Sequence, residues 1–336
     1  MAARFFRRKA STPRKEFEGH ENIIWSLVFL HDNVHIVSAS RDGMMRKWNC
    51  DTGHLVGEPW KGTGGDITAL ALSPNGKIIA CGRVNRGVER WTTNGKMISN
   101  WRGHRKAVRS VSWSPNGKYV ASGSSDGTIS TDMISNIAAV EEVWSLSYSP
   151  LGDRIASGWS DHTIYIWNTA NGECVIGPIG GGKVVTSLVW SGTKLYSASD
   201  RFARVFDTTT GQLLHRYAHD HDLYSVALSP KNNILACVGL FGVVQLWNTK
   251  PHKLRRSVSQ DPKTIHCVSF SQDGRYLAYG GYDGKLTLWI VDVNAPKLSQ
   301  HQNQPKFILH ADTAEPSGFP QPPNPSLARR FWNMIS

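Results

Sequence analysis

Two short stretches of this chain carry residue types that could do chemistry. His219-Asp220-His221-Asp222 sets imidazoles beside carboxylates, a donor set that suits zinc or a harder divalent cation. Gly177 to Val184 reads GPIGGGKV, close to the G-x-x-x-x-G-K-[ST] loop whose glycines let backbone amides reach phosphate oxygens. Val184, however, stands where magnesium would need a hydroxyl, and the segment after it reads as a strand, so no helix N-terminus would face a phosphate. His219 recurs in register with His20 and His104, which marks it as structural. Serine, histidine and aspartate are plentiful, yet no G-x-S-x-G turn presents a nucleophile. No catalytic residue, cofactor or metal is expected, and both stretches read as connections between repeated units.

The elements that hold these residues recur. SPNGK stands at Ser73 to Lys77 and again at Ser114 to Lys118, about 40 residues later. Seven lines align around it: IWSLVF from Ile24, ITALAL from Ile67, VRSVSW from Val108, VWSLSY from Val143, VTSLVW from Val185, LYSVAL from Leu223 and IHCVSF from Ile265. The first column is Val, Ile or Leu and the third is always small. A turn follows each line, then a second run, a polar turn, and a third run that ends in Trp48, Trp91, Trp167, Phe206, Trp247 or Trp289. β-Branched and aromatic runs between turns are strands, and four short strands per unit of roughly 40 residues make a propeller blade rather than a sandwich. The expectation is an all-β chain: a seven-bladed β-propeller of four-stranded antiparallel blades. Its first outer strand would run Leu55 to Trp60. The third unit carries Asp132 where the aromatic belongs, so its outer strand would shrink to Ile137 to Val140. No outer strand follows Val291, so Arg14 to Phe17 is expected to close the ring as the N-terminal strand on the last blade.

Gly19-His20 and Gly103-His104 precede the first strands of their units, and SASRDGMMRKWN fills Ser38 to Asn49. On these motifs residues 14 to 294 resemble the WD-repeat β-propellers. No unit ends in Trp-Asp; Trp-Asn follows at Trp48, Trp167 and Trp247 instead. The resemblance implies a structural polar network of His20, Ser38, Asp42 and Trp48 in the first blade, and of His104, Ser122 and Asp126 in the third. It also implies that the second column lines the mouth of the channel: here Trp25, Thr68, Arg109, Trp144, Thr186, Tyr224 and His266. Asp66, Glu142 and Asp222 would lie beside them, with Arg41 and Tyr282 on neighbouring turns. Trp, Tyr and Arg at a concave mouth have the composition of a binding hot spot. Carboxylates near rings suit a basic or methylated side chain. The implied role is a non-enzymatic scaffold that binds proteins or peptides there, as a monomeric propeller within a larger complex.

The formal net charge of +12 sits unevenly. Arg4, Arg7, Arg8, Lys9, Arg14 and Lys15 all precede the first acid, so residues 1 to 13 read as a basic disordered leader. A leader of this kind supports a second reading, an RNA- or ribonucleoprotein-associated propeller, whose mark would be affinity that collapses with salt. Residues 295 to 336 read as a Pro-rich flexible tail ending in ARRFWNMIS, an arrangement similar to that of fungal WD-repeat proteins. No apolar run reaches the roughly 20 residues of a membrane helix. The five cysteines are scattered, without a C-x-x-C pair, which fits a reducing compartment, cytoplasmic or nuclear.

Overall fold

The computed structural model describes residues 14–131, 137–138, 141–259 and 263–291. Each aligned line folds as the innermost strand of a blade: Ile24–Phe29, Ile67–Leu72, Val108–Trp113, Val143–Tyr148, Ser187–Ser191, Leu223–Leu228 and Ile265–Phe270. Seven four-stranded antiparallel sheets result, and their innermost strands touch in a closed cycle that brings the first against the seventh. The first-column residues are buried between blades.

The small third column has a specific cause. An innermost strand would leave backbone N–H groups unpaired on its channel edge. The Ser26, Ser110 and Ser187 hydroxyls accept those of Leu70, Leu146 and Val226 in the following blade, at 3.0, 3.0 and 3.3 Å. Each serine staples two blades where a larger side chain would hold them apart.

The repeated SPNGK is explained twice over. Within the turn, Ser73 Oγ donates to Asn75 at 2.7 Å and accepts the Ile78 amide at 2.9 Å, while Gly76 takes a φ of +70°. Ser114, Asn116 and Tyr119 repeat both bonds at 2.7 and 2.9 Å. Between blades, the turns nest: the Pro74 ring fits under Gly117 and the Pro115 ring under Gly152, close enough that a Cβ there would touch the ring at 3.6 and 3.1 Å.

Closure follows the expected route. Arg14–Phe17 pairs antiparallel with the last strand, Leu286–Ile290, from Arg14 opposite Trp289 to Phe17 opposite Leu286. The Phe17 ring is buried and meets Trp48 of the first blade at 5.8 Å. Other outer strands make the same handover, Trp60 onto Trp91 at 6.2 Å and Tyr217 onto Trp247 at 5.4 Å. The N-terminal segment therefore supplies the outer strand and the ring plug of the seventh blade.

Two outer strands differ from expectation. The first runs Trp60–Lys61, preceded by a lone bridge of Leu55 to Trp48, because Gly57 turns with φ +72° and Pro59 has no N–H to offer the ladder. The third is Ile137–Ala138, opposite Thr128 and Ile129, while residues 139 and 140 lie outside the described residues. Asp132, the leader 1–13 and the tail from 292 also lie outside them. Between the second and third blades the Arg90 guanidinium sits over Trp101 at 5.1 Å and Trp113 at 5.4 Å, filling the seam with a cation between two indoles. Among the described residues no helix is long and apolar enough to cross a membrane.

Candidate functional site

The innermost strands slip register at one place in six of the seven blades. Ile24 faces Ser40 and Ser26 faces Ala39, so Trp25 has no cross-strand partner; Thr68, Arg109, Trp144, Tyr224 and His266 stand at the same slip. Such a bulge turns its side chain out of the ladder. In the fifth blade the strand begins at Ser187, and Thr186 bonds its N–H to Ala198 O at 3.0 Å.

These re-aimed side chains fall into separate groups. Tyr224, His266 and Trp25, from the sixth, seventh and first blades, stack in series: Trp25 to His266 at 4.5 Å and Tyr224 to His266 at 5.1 Å. Arg109 lies over the Trp144 ring at 4.6 Å and donates from Nε to Ser125 Oγ at 2.8 Å. Thr68 and Thr186 are taken up by structure, each donating to a carbonyl of the next blade, Val108 and Leu223. Two of the carboxylates already have partners: Asp66 pairs with Arg41 at 3.4 Å, and Asp222 with Lys183 at 2.7 Å. Exposed pairs of this kind hold by about 0–1 kcal/mol. Glu142 opposes the burial that lowers the Arg109 pKa. Tyr282 projects from the next turn, 55% exposed.

The polar network is built within single blades. His20 bonds Asp42 from Nδ1 at 2.8 Å and Ser38 from Nε2 at 2.7 Å, and the Trp48 indole donates to the same Ser38 hydroxyl at 2.8 Å. In the third blade His104 meets Ser122 at 2.8 Å and Asp126 at 3.2 Å. Burial pushes Asp42 up, but bonds from His20 and from the Met44 and Glu21 amides outweigh it and hold the carboxyl well below its usual range.

The sequence profile of the WD domain, G-beta repeat (WD40) matches residues 11–49, 53–91, 95–130, 138–168 and 252–289, more than half of the chain. The chain belongs to the WD-repeat family. Its relatives include protein hir1 of Aspergillus terreus, 33% identical over 90 residues, which are 24% of this chain and 9% of that protein. Telomerase protein component 1 of Rattus norvegicus is 33% identical over 75 residues, 22% of this chain and 3% of that protein. Echinoderm microtubule-associated protein-like 2 of Mus musculus is 28% identical over 121 residues, 35% and 19% of the two chains. The matches thus span a small part of each relative. WD-repeat propellers are generally non-enzymatic scaffolds for other proteins.

The profile passes over the fifth and sixth blades, which nonetheless build complete four-stranded sheets. This WD-repeat chain also rebuilds the polar network in ways its motifs conceal. In the second blade Arg83 and Glu89, both fully buried, pair at 2.8 Å; Glu89 accepts Thr63 N at 2.8 Å, Thr63 Oγ1 at 2.6 Å and the Trp91 indole at 2.9 Å. Gly62 makes room, since a Cβ there would collide with both charged groups. The sequence signals were Arg83 at the end of the apolar run IIACGR and Glu89 in the run before Trp91. In the fourth blade Ser157 accepts two indoles, Trp159 and Trp167, both at 2.7 Å. In the sixth, Cys237 and Phe241 replace the Ser and Asp, and His219 Nδ1 turns to the His221 carbonyl at 3.1 Å. The His219 to Asp222 stretch therefore does not converge on a common point. Cys174–Gly180 is an outer strand, so the Gly-rich stretch is a blade connection whose Lys183 serves Asp222.

Burial between two rings pushes His266 down to about 4. The unfolded imidazole takes its proton near 6.5, so stability is complete above that pH and falls as pH drops from there through the folded value, by about 3 kcal/mol for this group. Burial likewise lowers His20, His104 and His219, which adds to the same slope. His266→Gln is expected to flatten the fall, read from urea midpoints between neutral pH and about 4. An unchanged slope would show that the imidazole is not enclosed.

Proposed function

We propose that this WD-repeat propeller is a non-enzymatic interaction module that binds peptide segments across its channel mouth. The observation that carries the reading is the Tyr224–His266–Trp25 series, in which the enclosed His266 ring packs at a tilt against the half-buried Trp25 and Tyr224 rings of the neighbouring blades. Rings with few rotatable bonds, held by a closed ring of sheets, offer contact area with little left to order on binding. The Arg109–Trp144 pair adds a second polar and aromatic foothold across the opening. Peptides with basic side chains suit the carboxylates at the rim. The propeller works within a larger assembly in the cytoplasm or nucleus, which is supported by five unbridged cysteines and by relatives named as a telomerase component and as a microtubule-associated-like protein.

The test replaces Trp25, Trp144 and Tyr224 together by Ala. Affinity purification with mass spectrometry is expected to show partners of the wild type missing from the triple variant, whose circular dichroism stays that of an all-β fold. An identical set of partners on a folded triple variant overturns the reading. The ribonucleoprotein alternative rests on the basic leader, which lies outside the described residues, and takes second place.

A further inference from the structure

Next to the seam of the sixth and seventh blades lies a turn that, like those of Arg86 and His162, holds a bulky residue in the left-handed region but, unlike them, lacks the Asn or Asp acceptor. Between the strands Ile234–Gly239 and Val243–Asn248, Phe241 adopts φ +59° with its ring 50% exposed. A bulky residue in the left-handed region costs stability that glycine or asparagine would not. In the other six blades an Asp or Asn at this place accepts the backbone N–H two residues on, as Asp42 does from Met44 at 2.9 Å and Asp283 from Lys285 at 3.0 Å. Phenylalanine forgoes that bond. Packing offers little in return, since half of the ring faces solvent and its edge meets His221 at 4.5 Å.

The position of the turn suggests what the ring is for. It abuts the strand that carries His266, and Leu240 N bonds Asp222 O at 3.0 Å. Tyr282 reaches the same strand end from the other side, its N–H on Thr264 O at 2.9 Å. The turns that carry Phe241 and Tyr282 therefore both lie beside the strand that carries His266. Exposed carboxylates stand next in sequence to residues at both turns, Asp220 beside His221, whose ring meets Phe241, and Asp283 beside Tyr282; Asp283 shares a cleft with Gly242, Glu16, Lys263 and Lys285, of which Lys285 is paired with Glu18. A ring face beside a carboxylate attracts a guanidinium or ammonium from two directions.

We infer that Phe241 is an outer anchor of the peptide-binding mouth and receives a basic side chain of the bound segment, with Tyr282 as the second ring and Asp220 and Asp283 as the counter-charges. The inference rests on the mouth as the binding site and names its ligand chemistry: an extended peptide bearing arginine or lysine. The strained turn is retained because it presents the ring.

The probes are two synthetic peptide libraries with randomised flanks, one around a fixed central arginine and one around a fixed central glutamate, bound to the full chain. The wild type retains the arginine library in preference to the glutamate library. Phe241→Asn weakens arginine-library binding about tenfold while raising Tm, since asparagine tolerates the left-handed backbone and returns an acceptor to the turn. Trp25→Ala weakens binding as well. Loss on Trp25→Ala with none on Phe241→Asn overturns the Phe241 anchor and leaves the mouth standing. A lower Tm for Phe241→Asn shows the ring to be structural and overturns the inference, as does preference for the glutamate library. Retention of neither library by the wild type overturns both readings.

Discussion

Phe17→Ala is expected to lower the free energy of unfolding by about 3–5 kcal/mol. The side chain is 1% exposed and sits in one cluster with Ile24, Leu27 and Trp48 of the first blade and Leu286 and Leu288 of the seventh. Truncation there opens a cavity at the one seam that covalent order does not already hold together. The strand carrying Phe17 has four residues, so its backbone pairing is short and the ring is its main anchor. Without it, the edge of Leu286–Ile290 loses its partner as well. Urea titration followed by tryptophan fluorescence reads the change, with Leu151→Ala, 87% exposed on a turn, as a control within about 0.5 kcal/mol of wild type. Equal midpoints for Phe17→Ala and the control would remove this residue from the closure.

Glu89→Ala has an effect of the same size for a different reason. It leaves Arg83 fully buried without its carboxylate, and strips the Thr63 amide, the Thr63 hydroxyl and the Trp91 indole of their acceptor. Breaking one half of a buried pair costs about 3–5 kcal/mol, because the remaining charge keeps its desolvation penalty and loses its compensation. Removing both halves is a different matter. Arg83→Met combined with Glu89→Leu is expected to recover only part of the loss, since no unpaired charge then stays buried while the Thr63 and Trp91 donors still lack their acceptor. A double variant as unstable as Glu89→Ala would show that the pair contributes more than mutual neutralisation, with the Arg83 bond to Gly65 O at 2.9 Å the first place to look.

The fold was largely legible because propeller architecture is written in local patterns. Strand columns, SPNGK turns and the missing seventh outer strand all reflect residues close together in sequence, and seven repetitions average out chance. The site was legible only in part. Trp25, Tyr224 and His266 could be named from their column, and the bulge that turns them outward is a register slip with no compositional signal. The pairing of Asp66 with Arg41 and of Asp222 with Lys183 was not visible, because each crosses between separate units. Phe241 stands in the sequence where the other six units carry Asp or Asn, whereas its exposure and left-handed backbone belong to the assembled blade.

By itself, then, the sequence determined a ring of seven four-stranded blades, the turns that reverse each one and the segment that closes them. Tertiary structure alone decided which charges neutralise one another, which rings stack and which stand in solvent. The reason is distance along the chain: Ile24 and Cys267 touch across 243 positions, and contacts that far apart depend on how whole blades pack, a property no single repeat contains.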